Sequence, residues 1–479
     1  MRRDPSSPPP LPLEVSGHEL RAMMGAVLDR VVTHVDSLGA QPAHDLEEHV
    51  ALARSLAGAM PEHGTSLAEA LAVVFDRAVP TSFNTAGPGY LAYIPGGGLL
   101  HAAVADFLAD AVNRYTGVWL AAPGLVQLET NVLRWLADVV GYPDTALGIL
   151  TSGGSLANFS AVVAARAERL PERFLDGTLY VSDQVHHSVQ KATRLAGFPA
   201  DAVRVVPSDG RFRMRLEALD AAIRRDRAAG RRPFLVVGSG GTTNTGAVDD
   251  LAALADLAAG EHLWFHVDAA YGGFFALTER GRRSLAGMER ADSITLDPHK
   301  GLFLPYGTGA LLVRDVATLR RSHATEGAYL PTMQDGDAFV DYCQISPELS
   351  RPFRGLRLWL PLQLAGIAAF RTALDEKLDL ARTAADALRI MPGIEIVAEP
   401  ELSTVAFRAV WPGLDSGETN ARNRRLMEHV NGRRRVYLTG TTVNGQFLIR
   451  ICVLSFRTHA DRIAQGLADI RDALGQVAG

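Results

Sequence analysis

Between residues 147 and 315 the chain alternates short β-branched runs with Ala/Arg-rich stretches of helical periodicity. The candidate strands are "GILTS", "TLYVS", "AVRVV", "PFLVVGS", "LWFHVD", "SITLD" and "GALLVRD". Segments such as "LANFSAVVAARAERL" and "RLEALDAAIRRDRAAG" separate them. No other feature constrains the fold as strongly. A β-α-β alternation of this length predicts an α/β fold, with a mainly parallel sheet covered by helices. It also says where function should be sought, because ligands of open α/β sheets sit at the carboxyl ends of the strands.

The flanks are different in texture. "MRRDPSSPPPLPLEV" has basic residues but no apolar core of a targeting signal, and reads as a flexible leader. "GHELRAMMGAVLDRVVTHVDSL", "DLEEHVALARSLAGAM" and "TSLAEALAVVFDRAV" have helical periodicity, and "NTAGPGYLAYIPGGG" (84–98) reads as a loop. Two further helices are expected before residue 147, and "GLRLWLPLQLAGIAAFRTALDEKLDLARTAADALRI" reads as a long helical connector. Strand patterns then return in "IEIVAE", "STVAFRAV", "RVYLTGTT" and "FLIRICVL". The expected division is an N-terminal helical segment over 1–85, a large α/β domain over 86–375, and a small α+β domain over 376–479. A net charge of −5 gives no reason to expect nucleic acid or an anionic membrane as partner. Two cysteines suit a reducing compartment, and no apolar run reaches membrane-spanning length, so a cytoplasmic protein is expected.

Each strand end carries a candidate group. After "GIL" comes Thr151-Ser152-Gly153-Gly154-Ser155 and then a helix. Free N–H groups at a helix start bind anions, although a plain tight turn explains this motif equally well. After "TLYVS" come His186 and His187; for either alone, an ordinary helix start is the better reading. After "PFLVVGS" the run "GGTTNTGAVDD" offers Gly241, Thr242 and Thr243, again as easily a turn as a site. Asp268 ends the strongly apolar "LWFHVD", where a carboxylate is costly unless paired; the alternative is a helix N-cap. "SITL" runs into Asp297-Pro298-His299-Lys300.

Lys300 stands out because lysine is scarce. Of 48 basic residues only Lys191, Lys300 and Lys377 are lysines, so 45 are arginines. Arg stays protonated and cannot act as an amine nucleophile, whereas Lys can. Lys191 and Lys377 lie in amphipathic helical contexts and read as solvated. Taken together, the strand ends ask for an anion at a helix start, a cation for Asp268, an aromatic face for a His and an electrophile for Lys300. Pyridoxal phosphate has all four. Its phosphate would take Gly153, Gly154 and Ser155, its pyridinium nitrogen would pair with Asp268, and its aldehyde would form a Schiff base with Lys300. A P-loop is excluded because "GGSLAN" lacks Gly-Lys-Ser/Thr. No His, Cys and carboxylate cluster has metal-ligand spacing.

At these residues the chain resembles the group II pyridoxal-phosphate amino-acid decarboxylases, the aromatic-L-amino-acid decarboxylase family. "HVDAAYGG", "SDQVHHS", "GTTNTGAVDDL", "DPHK" and "SPELSRPFRGLRLWLPLQLAG" carry the likeness, which runs from about residue 80 to the end. The resemblance implies a fold-type I enzyme with a seven-stranded, mainly parallel sheet and a small C-terminal domain. It also implies a homodimer with its active site at the subunit interface. Lys300 would be the aldimine lysine and Asp268 the pyridinium partner. His186 would stack on the ring, Ala270 would pack on its other face, and Thr243 would lie beside it. His299 would neighbour the phosphate. Tyr329, in "HATEGAYLPTMQD", matches a loop Tyr that, with the ring-stacking His, returns a proton to Cα after CO2 leaves. Family members with Phe there let oxygen take the carbanion and make an aldehyde.

The chain departs from the family in three places. Asp297 stands where many members have Asn. Gly96 stands where aromatic-acid decarboxylases usually carry Thr, and Gly117 where they carry a Phe supplied by the partner subunit. A wider or less aromatic pocket is therefore expected, with Tyr93, Ile94, Tyr115 and Trp119 as candidate substrate walls. The reading is decarboxylation of an L-amino acid. An aldehyde synthase or a carbon–carbon lyase on the same scaffold are the alternatives.

Overall fold

The structure is a computed structural model that describes residues 13–324 and 339–477. All seven expected strands of the central region form: β1 (Leu147–Thr151), β2 (Gly177–Ser182), β3 (Val203–Val206), β4 (Arg232–Ser239), β5 (Trp264–Asp268), β6 (Ser293–Leu296) and β7 (Gly309–Val313). They make one sheet in the order β1-β7-β6-β5-β4-β2-β3. From β6 to β3 the neighbours pair in parallel, and β7 lies antiparallel between β1 and β6. Every residue of β1, β2, β5, β6 and β7 is buried. A sheet covered on both faces has no polar face to alternate with, which is why these strands read as continuous apolar runs.

Four further strands form the smaller sheet: β8 (Ile394–Ala398), β9 (Thr404–Ala409), β10 (Thr439–Val443) and β11 (Gln446–Cys452). Their order is β10-β11-β9-β8, with every pair antiparallel. Helices Ser416–Gly432 and Ala460–Val477 contribute Leu426 and Ile470 to a core shared with Phe407 and Ile449 of this sheet. Tyr271 joins the two sheets. Its hydroxyl accepts from the Ser403 N–H at 2.9 Å and from the Thr404 hydroxyl at 3.0 Å, at the start of β9.

The long connector forms a helix over Gly355–Arg389, interrupted at Gly366 (φ 70°, ψ 156°). Glycine takes a positive φ without steric cost, so the helix can break there and resume. Its residues serve both cores: Phe370, Leu374 and Leu378 pack with the large sheet, and Leu380, Ala384 and Leu388 with the small one. This corrects the reading of Lys377, which is fully buried rather than solvated. Its ammonium donates to the Thr458 carbonyl at 2.6 Å and to Glu376 at 2.8 Å, and burial pulls its pKa down. Lys377 falls where the helix passes from one core to the other, between Leu374 and Leu380, so it is enclosed while Asp379, Arg382 and Thr383 on the same helix stay exposed.

The first helix, Gly17–Ser37, opens with a reciprocal Ser16/Glu19 capping box and buries none of its residues. The second expected helix is shorter than its pattern, His49–Leu56, because Glu48 ahead of it is left-handed (φ 53°). Among the described residues, no helix is long and apolar enough to cross a membrane.

Candidate active site

A cavity of about 270 Å³ opens at the carboxyl edge of the large sheet. Parallel pairing brings the ends of β2, β4, β5 and β6 to that edge, and two successive antiparallel pairings through β7 turn β1 the same way, so residues far apart in sequence share one chamber. Gly153, Gly154, Ser155, His186, Thr243, Asp268, Ala270, Asp297, His299 and Lys300 all line it. These are all of the positions expected to hold the cofactor.

Each wall has a local cause. Gly153 caps helix Gly154–Arg169 without a side chain, so no side chain occupies the N–H groups of its first turn. A Cβ on Gly154 would come within 3.1 Å of the Asp297 carboxylate and 3.2 Å of Ala270 Cβ, so only glycine leaves that corner free. Asp268 closes β5, nearly buried, with Oδ2 taking the Asn158 amide at 2.9 Å and Oδ1 the Ala270 N–H at 3.2 Å. Lys300 sits in a short helical turn after β6, started by Pro298 at its first position. Its Nζ lies 2.8 Å from Asp297 Oδ2.

Burial dominates the electrostatics of the two lining histidines. His186 is held below its ordinary pKa chiefly by burial, with Asp268 pulling the other way. His299 is lowered mainly by burial too, and its Nδ1 contacts the Thr308 carbonyl at 2.6 Å. Asp297 is almost fully buried, yet its Oδ1 has no hydrogen-bond partner.

Of the two adjacent histidines, it is His186 that lines the cavity. His187 starts helix His187–Leu195 with its ring 4.2 Å from that of His186. The six candidate substrate walls do not line the cavity within this chain. Ile94 is buried in the main core, and Tyr93 is half exposed. Tyr115 donates to the Leu349 carbonyl at 3.0 Å, and Gly117 packs against both of these residues. Trp119 stacks on Phe339 at 3.9 Å between ring centroids. Gly96 abuts the cavity from behind: a Cβ there would sit 2.6 Å from the His299 carbonyl oxygen. Tyr329 lies outside the described residues.

Sequence reasoning missed Asn158, Ser188 and His266. Ser188 and His266 lay inside the quoted motifs without a role. Asn158 had no signal beyond being one polar residue of its helix.

The cavity offers an anion-binding helix start, a carboxylate, an imidazole and an amine, and the corner freed by Gly154 admits a ligand among them. These residues fit pyridoxal phosphate. The chain belongs to the pyridoxal-dependent decarboxylases: the family profile described as "Pyridoxal-dependent decarboxylase conserved domain" matches residues 52–410. It is a pyridoxal-phosphate-dependent carboxy-lyase of the fold expected above.

Among curated relatives, an aromatic-L-amino-acid decarboxylase of Bacillus atrophaeus is 33% identical over 461 residues, covering 96% of each chain. Among solved structures, Oryza sativa TDC with PLP and tryptamine superposes with a TM-score of 0.92 at 26% identity, covering 97% of this chain and 99% of that one. Rhodiola rosea 4-hydroxyphenylacetaldehyde synthase follows with a TM-score of 0.90 at 25% identity, covering 97% and 100%.

Proposed function

We propose that this chain removes CO2 from an aromatic L-amino acid and releases the amine. The observation that carries the reading is the convergence of the Lys300 amine, the Asp268 carboxylate and the His186 imidazole on one cavity beside an uncapped helix start. The names of the relatives above support the aromatic class. Pyridoxal phosphate, when bound, supplies an electron sink for the pair left behind when CO2 departs.

The protein's residues supply the rest. Gly153, Gly154, Ser155 and His299 hold the phosphate. Asp268 keeps the ring nitrogen protonated, and its charge is worth most in a cavity with little water. Lys300 would hold the cofactor through its side-chain amine. His186, Ala270 and Thr243 would hold the ring. Tyr329, with His186, delivers the proton to Cα. Asp297 places a second carboxylate in the cavity, balanced by the Lys300 ammonium at 2.8 Å.

The working unit is a homodimer. Leu28 and Val32 on helix Gly17–Ser37, and Val104, Phe107 and Leu108 on helix Leu100–Val112, stand 41% to 59% exposed, apolar groups that a partner subunit would cover. Tyr93, Tyr115, Gly117 and Trp119 would then reach substrate across the subunit interface, with Ile94 and Gly96 behind them. The change of core between Leu378 and Leu380 supports a boundary near residue 375. Two unpaired cysteines, Cys343 and Cys452, support a cytoplasmic setting.

The test is product analysis. Cofactor-loaded enzyme is given each of the twenty amino acids while CO2, amine and peroxide are measured. Equal CO2 and amine from an aromatic substrate is expected, with Tyr329→Phe shifting product toward aldehyde. Stoichiometric peroxide and aldehyde from the unaltered enzyme would make it an aldehyde synthase, the activity in the name of the Rhodiola structure. No CO2 from any of the twenty would overturn the reading.

A further inference from the structure

We propose that Asn158 is a positioning residue that sets which nitrogen of His186 carries the proton, using the same amide group that holds Asp268. The inference rests on the function proposed above, which gives His186 its task.

The directions of the hydrogen bonds follow from groups that can play only one part. A carboxylate only accepts and a backbone N–H only donates. Asn158 Nδ2 lies 2.9 Å from Asp268 Oδ2, so the NH2 end faces the carboxylate. Its other proton goes to Ser188 Oγ, also at 2.9 Å. Asn158 Oδ1 must then accept, and it receives the Thr295 hydroxyl at 2.7 Å. The same oxygen faces His266 Nε2 at 3.1 Å, so His266 carries its proton on Nε2. His266 Nδ1 takes the Ser293 hydroxyl at 2.8 Å, and Ser293 accepts the Trp264 indole N–H at 2.8 Å.

The second branch ends on His186. The Ser188 backbone N–H points at His186 Nδ1 from 3.3 Å, so that nitrogen must accept. The Ser188 hydroxyl, which takes the Asn158 amide, therefore donates its own proton to Nδ1, 2.8 Å away. Two donors on Nδ1 leave Nε2–H as the hydrogen-bond donor that the ring turns toward the cavity. Asn158, Ser188, His266, Ser293 and Thr295 are each no more than 2% exposed, so water does not compete for these bonds. The charged and titratable groups facing His186 are Asp268, His187, Lys300 and Asp297. Burial outweighs the two carboxylates among them, and the ring stays neutral, in the form this wiring requires. One buried amide thereby holds both Asp268 and, through Ser188, His186.

The test reads the imidazole directly. Full-length, cofactor-loaded enzyme with 15N-labelled histidine is studied by NMR at pH 7.5, with His186 assigned by its loss in His186→Gln. The expected spectrum shows His186 neutral and protonated on Nε2. In Asn158→Ala its two nitrogen shifts should move toward each other as the tautomers mix. In that variant kcat should fall roughly 10- to 100-fold, part of the ~10²–10⁴ that a positioned proton donor contributes, with KM changed less than about threefold. Ser188→Ala should reproduce the NMR change while leaving affinity for pyridoxal phosphate as in the wild type; Asn158→Ala should weaken that affinity as well. If Asn158→Ala does not fold, Ser188→Ala, which removes a single hydroxyl, carries the same NMR test. A wild-type His186 protonated on Nδ1, or variant shifts that coincide with wild type, would overturn the proposal even in an active enzyme. A wild type that decarboxylates nothing would overturn the proposed function and leave the NMR result to decide the wiring.

Discussion

The two sides of the cavity are built in different ways. On the cofactor side the lining groups stand at ends of neighbouring strands of one sheet, and paired backbone fixes their spacing. Asp268, for example, is in register with Ser239 on one side and Thr295 on the other. On the proposed substrate side, Tyr93, Tyr115 and Trp119 come from loops. Thr439, Leu349, Asp341 and Phe339, none of them part of the large sheet, hold those loops in place. The difference teaches where the two properties of such an enzyme reside. A rigid sheet edge preserves the chemistry, while loops tied to other elements can change the substrate without disturbing it.

Substitutions on the two sides should separate these roles. Lys300→Ala should have the largest effect, at least roughly a thousandfold loss of amine formation. It should also abolish the borohydride-trappable link to pyridoxal phosphate; a variant that keeps that link would break the assignment. Asp268→Asn comes next, about 10²–10³-fold in kcat, since one preorganised electrostatic partner is lost while its shape is kept. A loss of less than tenfold would show that the cofactor side does not depend on that charge.

The third prediction concerns stability. Burial, against the pull of Asp268, holds the pKa of His266 down to about 4 from an ordinary 6.5. Between those values the unfolded chain binds a proton that the folded chain refuses. The contribution of this residue is complete above pH 6.5 and is lost as pH falls toward 4. It amounts to roughly 3 kcal/mol at most. Denaturant titrations across that range should show a shallower decline for His266→Gln than for wild type, and equal slopes would refute the assignment.

The smallest effect is expected at the junction of the two sides. Gly96→Thr should lower stability by about 1–3 kcal/mol, because the new Cβ would meet the His299 carbonyl. A variant with undiminished Tm and sharper preference for aromatic substrates would show instead that Gly96 belongs to the substrate side.

Much of this site was legible before any coordinates. The scarcity of lysine singled out Lys300, and a carboxylate ending an apolar strand singled out Asp268. The same scarcity raised the question of Lys377, and there helical periodicity misled. Its apolar stripe implied a solvated opposite face, and Asp379, Arg382 and Asp386 do lie on one, but Lys377 falls where the two cores meet along Gly355–Arg389. Gly96 was read as room for substrate, and the backbone of His299 gives it a packing reason. Asn158 was invisible because nothing in its helix, GSLANFSAVVAARAER, marks it as different from an ordinary polar position. Its partners Ser188, His266, Asp268 and Thr295 lie on other elements, 30 to 137 positions away.

By itself the sequence determined which segments are strands, that the central ones are apolar enough to be covered, and which residue types stand at their ends. Those are local properties, set by side-chain period and by the bonding needs of single groups. The tertiary structure alone decided that β7 enters antiparallel between β1 and β6, that Lys377 is enclosed, and that one amide reaches both Asp268 and, through Ser188, His186. Each of these depends on which distant groups meet, and the period of a strand or helix reports a face without naming its partner.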